Sequence, residues 1–448
     1  MKKFNLLVAS YLFYAAWRPP FVVILWISTL VDWFAGKGIG ASQRQAARRA
    51  WLLLSLGANF GLLGFFKYGK FLDESFVAAL GFFGVRFQPV LPDIILPVGI
   101  SFYTFQTLSY TIDIYRGKAQ PWHSFLDYAL YVTFFPQLVA GPIVRATQFL
   151  PQCEQPKRAS ARQMSWGLSL MLLGLFEKIV IADGILARIT ERVYDQTLRP
   201  CFTDAWCGTM SFAAQIFCDF AGYSTCAIGV GLCFGFALPD NFHFPYASIG
   251  LSDFWRRWHI SLSTWLRDYL YIPLGGSRDG AIRTLRNLTV TMLLGGLWHG
   301  ASWTFVFWGG LHGMFLVVEY VVTTIVRESD FWLKLPVRIA LAFVTYLLCC
   351  VAWVFFRAHS FGQAFTLLGS MLHVLPTEGP GVLDRARIAA VLGITIAMLG
   401  IHWVMRDSSL EEIANRCPWW LKGLILAGLM IAIMTVSGED RAFIYFQF

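Results

Sequence analysis

The chain alternates long apolar runs with short polar interruptions from end to end. The runs fall near residues 4–17, 20–35, 50–66, 75–85, 94–112, 125–140, 164–182, 205–218, 222–237, 287–300, 301–326, 335–356, 386–405 and 419–437. Several are too short to cross a bilayer alone, since a spanning helix needs about 17–25 residues. The pattern predicts an all-α integral membrane protein, a single polytopic domain over 1–448 with about eleven or more transmembrane and re-entrant helices. Arg18-Pro19-Pro20 divides the first two runs and predicts a bend there, because proline cannot continue a helix. The loop 36–50 carries Lys37, Arg44, Arg48 and Arg49 without an acid, which places it in the cytoplasm. The stretch 73–93 holds Asp73, Glu74 and Asp93 against Arg86 and is expected on the other face. No repeat of 20–50 residues stands out, and no matched pair of broken helices suggests an inverted-repeat transporter.

The longest polar interruption has its own period. SDFWRRWHISLSTWLRD (252–268) places Phe254, Trp255, Trp258, Leu262, Trp265, Leu266 and Tyr269 on one helical arc of about 120°. Arg256, Arg257, Ser261, Ser263, Thr264, Arg267 and Asp268 fill the other side, with Ser252 as N-cap. A helix with Trp on one face and Arg on the other belongs in the membrane interface. His259 falls at the boundary between the two faces. From 253 to 286 there are six Arg and three Asp. Those arginines suit the phosphates of a nucleotide-like donor such as coenzyme A, or equally a cytoplasmic loop touching anionic headgroups.

Residues 287–318 contain no Asp, Glu, Lys or Arg, yet hold His299, His312 and six glycines. As one helix they would extend about 48 Å, against a hydrocarbon layer of about 30 Å, so a break or two packed segments is expected. Counted from Asn287, His299 lies about 18 Å along a helix, near the midplane. An ionisable group at that depth is expensive, which marks His299 as a functional candidate. His312 reads as a packing histidine. His123, His243, His359, His373 and His402 lie near segment ends or in loops with nothing to pair them.

Composition changes the picture little. Apolar residues make up 56% and charged residues 14% of the chain, where soluble domains run near 25% charged. The net charge of +9 follows the short loops and reflects topology and anionic lipid rather than nucleic acid. Nine cysteines show no CxxC pair or metal spacing and read as reduced structural thiols. No HExxH, GxSxG or Walker loop is present, and no metal site is expected. Lys2 and Lys3 precede an apolar stretch without a small-residue cleavage site, so the first run is expected to stay as a membrane segment.

Five strings then carry a resemblance: ILPVGISFYTFQTLSYTIDIYRG (95–117), FFPQLVAGPIVR (134–145), FAGYSTCAIGVGLCFGF (220–236), DFWRRWHISLSTWLRDYLYIPLGG (253–276) and GGLWHGASWTFVFWGGLHG (295–313). They resemble the membrane-bound O-acyltransferase family, in its bacterial branch of alginate O-acetylation and teichoic acid D-alanylation. WVFFRA (353–358) and the terminal FIYFQF (443–448) look like the same branch. The resemblance implies a ring of helices with tunnels meeting at the histidine of WHG, here His299, as the catalytic residue. It implies His259, in RWHISLS, as the second active-site polar residue. Arg256, Arg257, Trp255, Trp258, Trp298 and Trp303 beside these motifs become candidates for binding donor or substrate. The expected activity is acyl transfer, of acetyl in particular, from a cytoplasmic thioester such as acetyl-CoA towards hydroxyls of an exported polysaccharide. No permanently bound cofactor is expected. The expected partners are a periplasmic acetyltransferase, a glycan synthase or export complex, and membrane lipids, at a bacterial inner membrane. A transporter or flippase, or a structural subunit of an export complex, is the alternative reading.

Overall fold

The structure, a computed structural model, describes every residue except 1, 88, 90–93, 156, 197, 327–329, 377–380, 437–440, 442 and 444–448. Asp93 and all of the terminal FIYFQF but Phe443 therefore lie outside the described residues. Those described are helical or irregular, with no strand among them. Six helical segments are long and apolar enough to cross a membrane: Phe21–Ala41, Gln45–Phe82, Phe202–Cys233, Trp303–Ile325, Leu335–Arg357 and Arg385–Met405. The chain divides into two compact units, residues 1–167 with 227–239 and residues 168–226 with 240–448.

In the first unit, α1 (Lys2–Trp17) and α2 (Phe21–Ala41) are separated at the proline pair, as the sequence predicts. The runs 50–66 and 75–85 differ from expectation. Helix α3 (Gln45–Leu63) passes through a π-helical turn, Gly64–Tyr68, into the helix Gly69–Phe82. The charges that suggested an interruption are compatible with a helix: Lys67 Nζ donates to Ser101 Oγ at 3.2 Å, and Lys70 pairs with Glu74 one turn on. The run beginning at 94 becomes helical only at α4 (Ile100–Tyr115). Gly99 precedes it with φ 74°, and a Cβ there would stand 2.3 Å from the Leu138 carbonyl oxygen, so only glycine fits.

Between α2, α3 and α4 lies a fully buried polar knot. Asp32 accepts hydrogen bonds from the Ser55 hydroxyl, from Asn59 Nδ2 at 2.7 Å and from Thr111 Oγ1 at 3.0 Å. Ser28 and Thr107 donate in turn to Asn59 Oδ1 at 2.7 and 3.3 Å. In apolar surroundings such bonds join helices because the alternative is an unsatisfied polar group.

The two runs at 205–218 and 222–237 form one helix, α5 (Phe202–Cys233), whose residues up to Cys226 belong to the second unit. The interrupting Asp219 is ion-paired with Lys178, so its charge does not end the helix. Lys178 belongs to a π-helical stretch, Phe176–Ala187. The interfacial helix expected over 252–268 is two short helices, α6 (Leu251–Arg257) and α7 (Ile260–Leu266). Trp258 is extended and His259 takes the left-handed conformation, φ 43° and ψ 54°. The break is held from outside: Ile260 N–H donates to the Asn241 carbonyl at 2.8 Å, and His243 N–H to the Arg257 carbonyl at 2.9 Å. Helix α6 starts before Ser252, and its first N–H groups go to the Glu319 carboxylate, 2.5 Å from Leu251 N and 3.1 Å from Ser252 N.

The charge-free run forms two packed segments, as its length demands. Helix α8 (Ala281–His299) and helix α9 (Trp303–Ile325) are joined by Gly300-Ala301-Ser302. They touch backbone to backbone: a Cβ on Gly296 would meet the Phe305 carbonyl at 2.3 Å, and one on Gly309 the Met292 carbonyl at 2.2 Å. Small residues permit that approach between membrane helices. Because the polar turn 281–286 is also helical, His299 lies about 27 Å along α8, not the 18 Å counted from Asn287. Helices α10 (Leu335–Arg357) and α11 (Arg385–Met405) complete the spans of this unit.

Candidate active site

Two different devices bring His259 and His299 together. His299 is the last residue of α8, where Gly300 releases the chain into an extended turn. His259 stands in the left-handed turn between α6 and α7. Their rings lie 6.3 Å apart, centroid to centroid, and both side chains are buried. The two residues are 40 positions apart in the chain, and the turn between α6 and α7 presents this imidazole beside the end of α8.

Aromatic rings wall the pair. Trp298, Trp308 and Phe356 meet His299 edge to face at 5.1, 5.0 and 5.5 Å. His259 packs on Phe220 at 4.6 Å and on Trp298 at 5.9 Å, with Phe242 at 6.4 Å. Its Nδ1 lies 3.2 Å from Asn241 Oδ1. Burial lowers the His259 pKa to about 3, so the ring is neutral at pH 7. Among the described residues no group of three His, Cys, Asp or Glu is arranged to hold a metal ion.

Of the tryptophans singled out from the sequence, three join this wall. Trp298 touches both histidines, Trp255 packs on Trp308 at 5.9 Å, and Trp258 packs on Phe242 at 5.0 Å. Trp303 is 57% exposed and borders an apolar groove of about 410 Å³ with Leu293, Phe307 and Met314. The two arginines separate as well. Arg256 is exposed. Arg257 is tied inward: Nε donates to Asp253 at 2.8 Å and Nη1 to the Arg406 carbonyl at 2.7 Å, while Arg406 Nη2 reaches Asp253 at 2.6 Å. His312, expected to pack, is fully buried between Trp255 and Trp308, and neither ring nitrogen has a hydrogen-bond partner among the described residues.

Residues 119–361 match the membrane-bound O-acyltransferase family, which covers more than half of the chain. The probable alginate O-acetylase AlgI of Pseudomonas putida is 41% identical over 469 residues, covering 99% of this chain and 94% of that protein. The chain belongs to the membrane-bound O-acyltransferase family. The peptidoglycan O-acetyltransferase of Helicobacter pylori is 34% identical, covering 100% of this chain and 91% of its own length. The teichoic acid D-alanyltransferase of Streptococcus thermophilus is 28% identical over 59% of this chain. As a member of the family, with six helices long and apolar enough to span, the chain is a multi-pass inner-membrane acyltransferase.

Sequence reasoning missed Asn241, Phe220, Phe242, Trp308 and Phe356. Phe220, Trp308 and Phe356 lie inside strings that carry the resemblance, without a role of their own in the pattern. Asn241 sits in an irregular polar stretch, PDNFHF (239–244), where no period or spacing marks it.

Proposed function

We propose that this acyltransferase, working as one catalytic domain over residues 1–448, moves an acetyl group from a cytoplasmic thioester, with acetyl-CoA as donor, towards hydroxyls of an exported polysaccharide. The observation that carries the reading is the buried pair His299–His259 at 6.3 Å inside an aromatic wall. An acyl carrier with phosphates cannot cross lipid, whereas an acetyl group is small. If carrier and acceptor approach a buried histidine from opposite faces, only the acyl group has to cross.

In this mechanism a neutral His299 is the general base. It takes the proton of the acceptor hydroxyl as that oxygen attacks the thioester carbonyl. The tetrahedral intermediate collapses, the C–S bond breaks, and the departing thiolate takes the proton back from the imidazolium. A positioned base contributes typically about 10²–10⁴-fold. The imidazolium forms at the C-terminal end of α8, whose dipole favours a cation there by about 0.3–1 kcal/mol. Trp255, Trp258 and Trp298 line the donor and substrate path, and Arg256 meets donor phosphates at its mouth. Arg257 holds the α6 end that supports this path. A periplasmic acetyltransferase receives the acyl group and completes the modification beside a glycan synthase or export complex. The relatives named for alginate and peptidoglycan O-acetylation support the acceptor class.

The test is the acetyl content of the exported glycan in cells with and without the chain, together with label transfer from acetyl-CoA to purified protein in vesicles. Loss of glycan acetyl groups without the chain is expected. Unchanged acetylation, with export lowered instead, would favour a structural subunit of an export complex.

A further inference from the structure

The contacts of Asn241 decide which proton His259 carries. Asn241 Oδ1 faces three groups on the turn that presents the histidine: His259 Nδ1 at 3.2 Å, Ser261 N at 3.3 Å and Ser261 Oγ at 2.8 Å. A backbone N–H can only donate, so the amide atom opposite Ser261 N is the oxygen, whichever way the side chain is drawn. The other end agrees, because Asn241 Nδ2 meets Ser224 Oγ of α5 at 3.0 Å. A carbonyl oxygen can only accept. His259 Nδ1 must therefore bear the hydrogen, and in a neutral ring Nε2 then carries the lone pair. The same residue fixes the backbone, since the Asn241 carbonyl accepts from Ile260 N–H immediately after the left-handed histidine.

We infer that Asn241 is a positioning residue that holds His259 as its Nδ1–H tautomer and so makes Nε2 a hydrogen-bond acceptor in the reaction space. The inference rests on the acyl-transfer reading of this site, and it assigns His259 a side of the reaction. An acceptor Nε2 complements a hydroxyl, which donates; it repels the carbonyl oxygen of a thioester, which needs a donor as negative charge grows on it. His259 thus accepts from a hydroxyl of the polysaccharide next to the attacking one and so positions the attacking oxygen, whose own proton goes to His299, while the oxyanion is met elsewhere. The positions of the two rings fit this division, with Trp298 touching both.

Two measurements test it. In ¹⁵N-histidine-labelled full-length protein, with His259→Gln used to assign the signal, His259 should show a protonated Nδ1 and an unprotonated Nε2. The opposite tautomer in the wild-type protein overturns the inference even if no variant folds. In transfer assays, Asn241→Ala should lower kcat about tenfold or more with donor KM unchanged. Asn241→Asp keeps an oxygen acceptor for Nδ1–H and should restore the rate to within about threefold. An Asn241→Ala rate within twofold of wild type, or no rescue by Asp in a folded protein, would overturn the role. Absence of transfer by the wild-type protein would instead count against the acyl-transfer reading, leaving the tautomer measurement to decide on Asn241.

Discussion

Asp32 and the His259–His299 pair are both buried among apolar helices, but their neighbours are of opposite kinds. Around Asp32 the neighbours are donors: the Ser55 hydroxyl, Asn59 and Thr111, from two other helices, with Ser28 and Thr107 completing the net through Asn59. Around the histidines they are rings, with Trp298, Trp308, Phe356 and Phe220 at 4.6–5.5 Å and Asn241 on one nitrogen. A carboxylate held by three fixed donors ties helices together, with three of its four or so lone-pair sites already engaged. An imidazole walled by rings keeps its place by shape while its proton affinity stays available to a substrate. The first arrangement should govern stability and the second turnover.

Substitutions can separate those two quantities. His299→Ala should lower transfer about 10²–10⁴-fold, the contribution of a general base, while the protein inserts and melts like wild type; a rate within tenfold of wild type at normal expression would remove His299 from the chemistry. Asp32→Ala should do the reverse. It leaves Ser55, Asn59 and Thr111 without their shared acceptor, at a cost of about 1–3 kcal/mol of stability, with the rate per folded molecule near that of wild type. Thermal unfolding in detergent, with activity normalised to folded protein, measures both. His259→Gln comes next, with kcat reduced about tenfold and donor KM little changed. Retention of more than half the wild-type rate would return His259 to a packing role.

The smallest effects concern the two adjacent arginines. Arg257→Ala removes the bonds to Asp253 and to the Arg406 carbonyl, and should appear as a lowered melting temperature. Arg256→Ala, at an exposed position, should raise the donor KM a few-fold and leave stability alone. The opposite assignment of the two effects would show that Arg257, not Arg256, faces the donor.

Much of this was legible in the chain. The apolar runs foretold helices, the 32-residue charge-free run foretold a break, and the WHG and RWHISLS strings pointed to the family. Three things were hidden, each for a physical reason. Asp219 and Lys67 looked like interruptions because a lone charge ends an apolar run on paper, yet partners across the fold, Lys178 and Ser101, let the helices continue. The wheel over 252–268 assumed an unbroken helix. The left-handed His259 depends on a hydrogen bond accepted by the Asn241 carbonyl and one donated by His243 N–H, both outside that window. The separation of Arg257 from Arg256 needed Asp253 and Arg406, the latter about 150 positions on. Periodicity reports what a segment prefers, and these departures are imposed by contacts distant in sequence.

The most direct test of the account is one paired measurement: acyl transfer at saturating donor and melting temperature, for His299→Ala and Asp32→Ala purified side by side in the same lipid. The account predicts a His299→Ala protein that melts with wild type and transfers almost nothing, beside an Asp32→Ala protein that melts lower and turns over normally per folded molecule. A His299→Ala protein that still transfers at near the wild-type rate would contradict it.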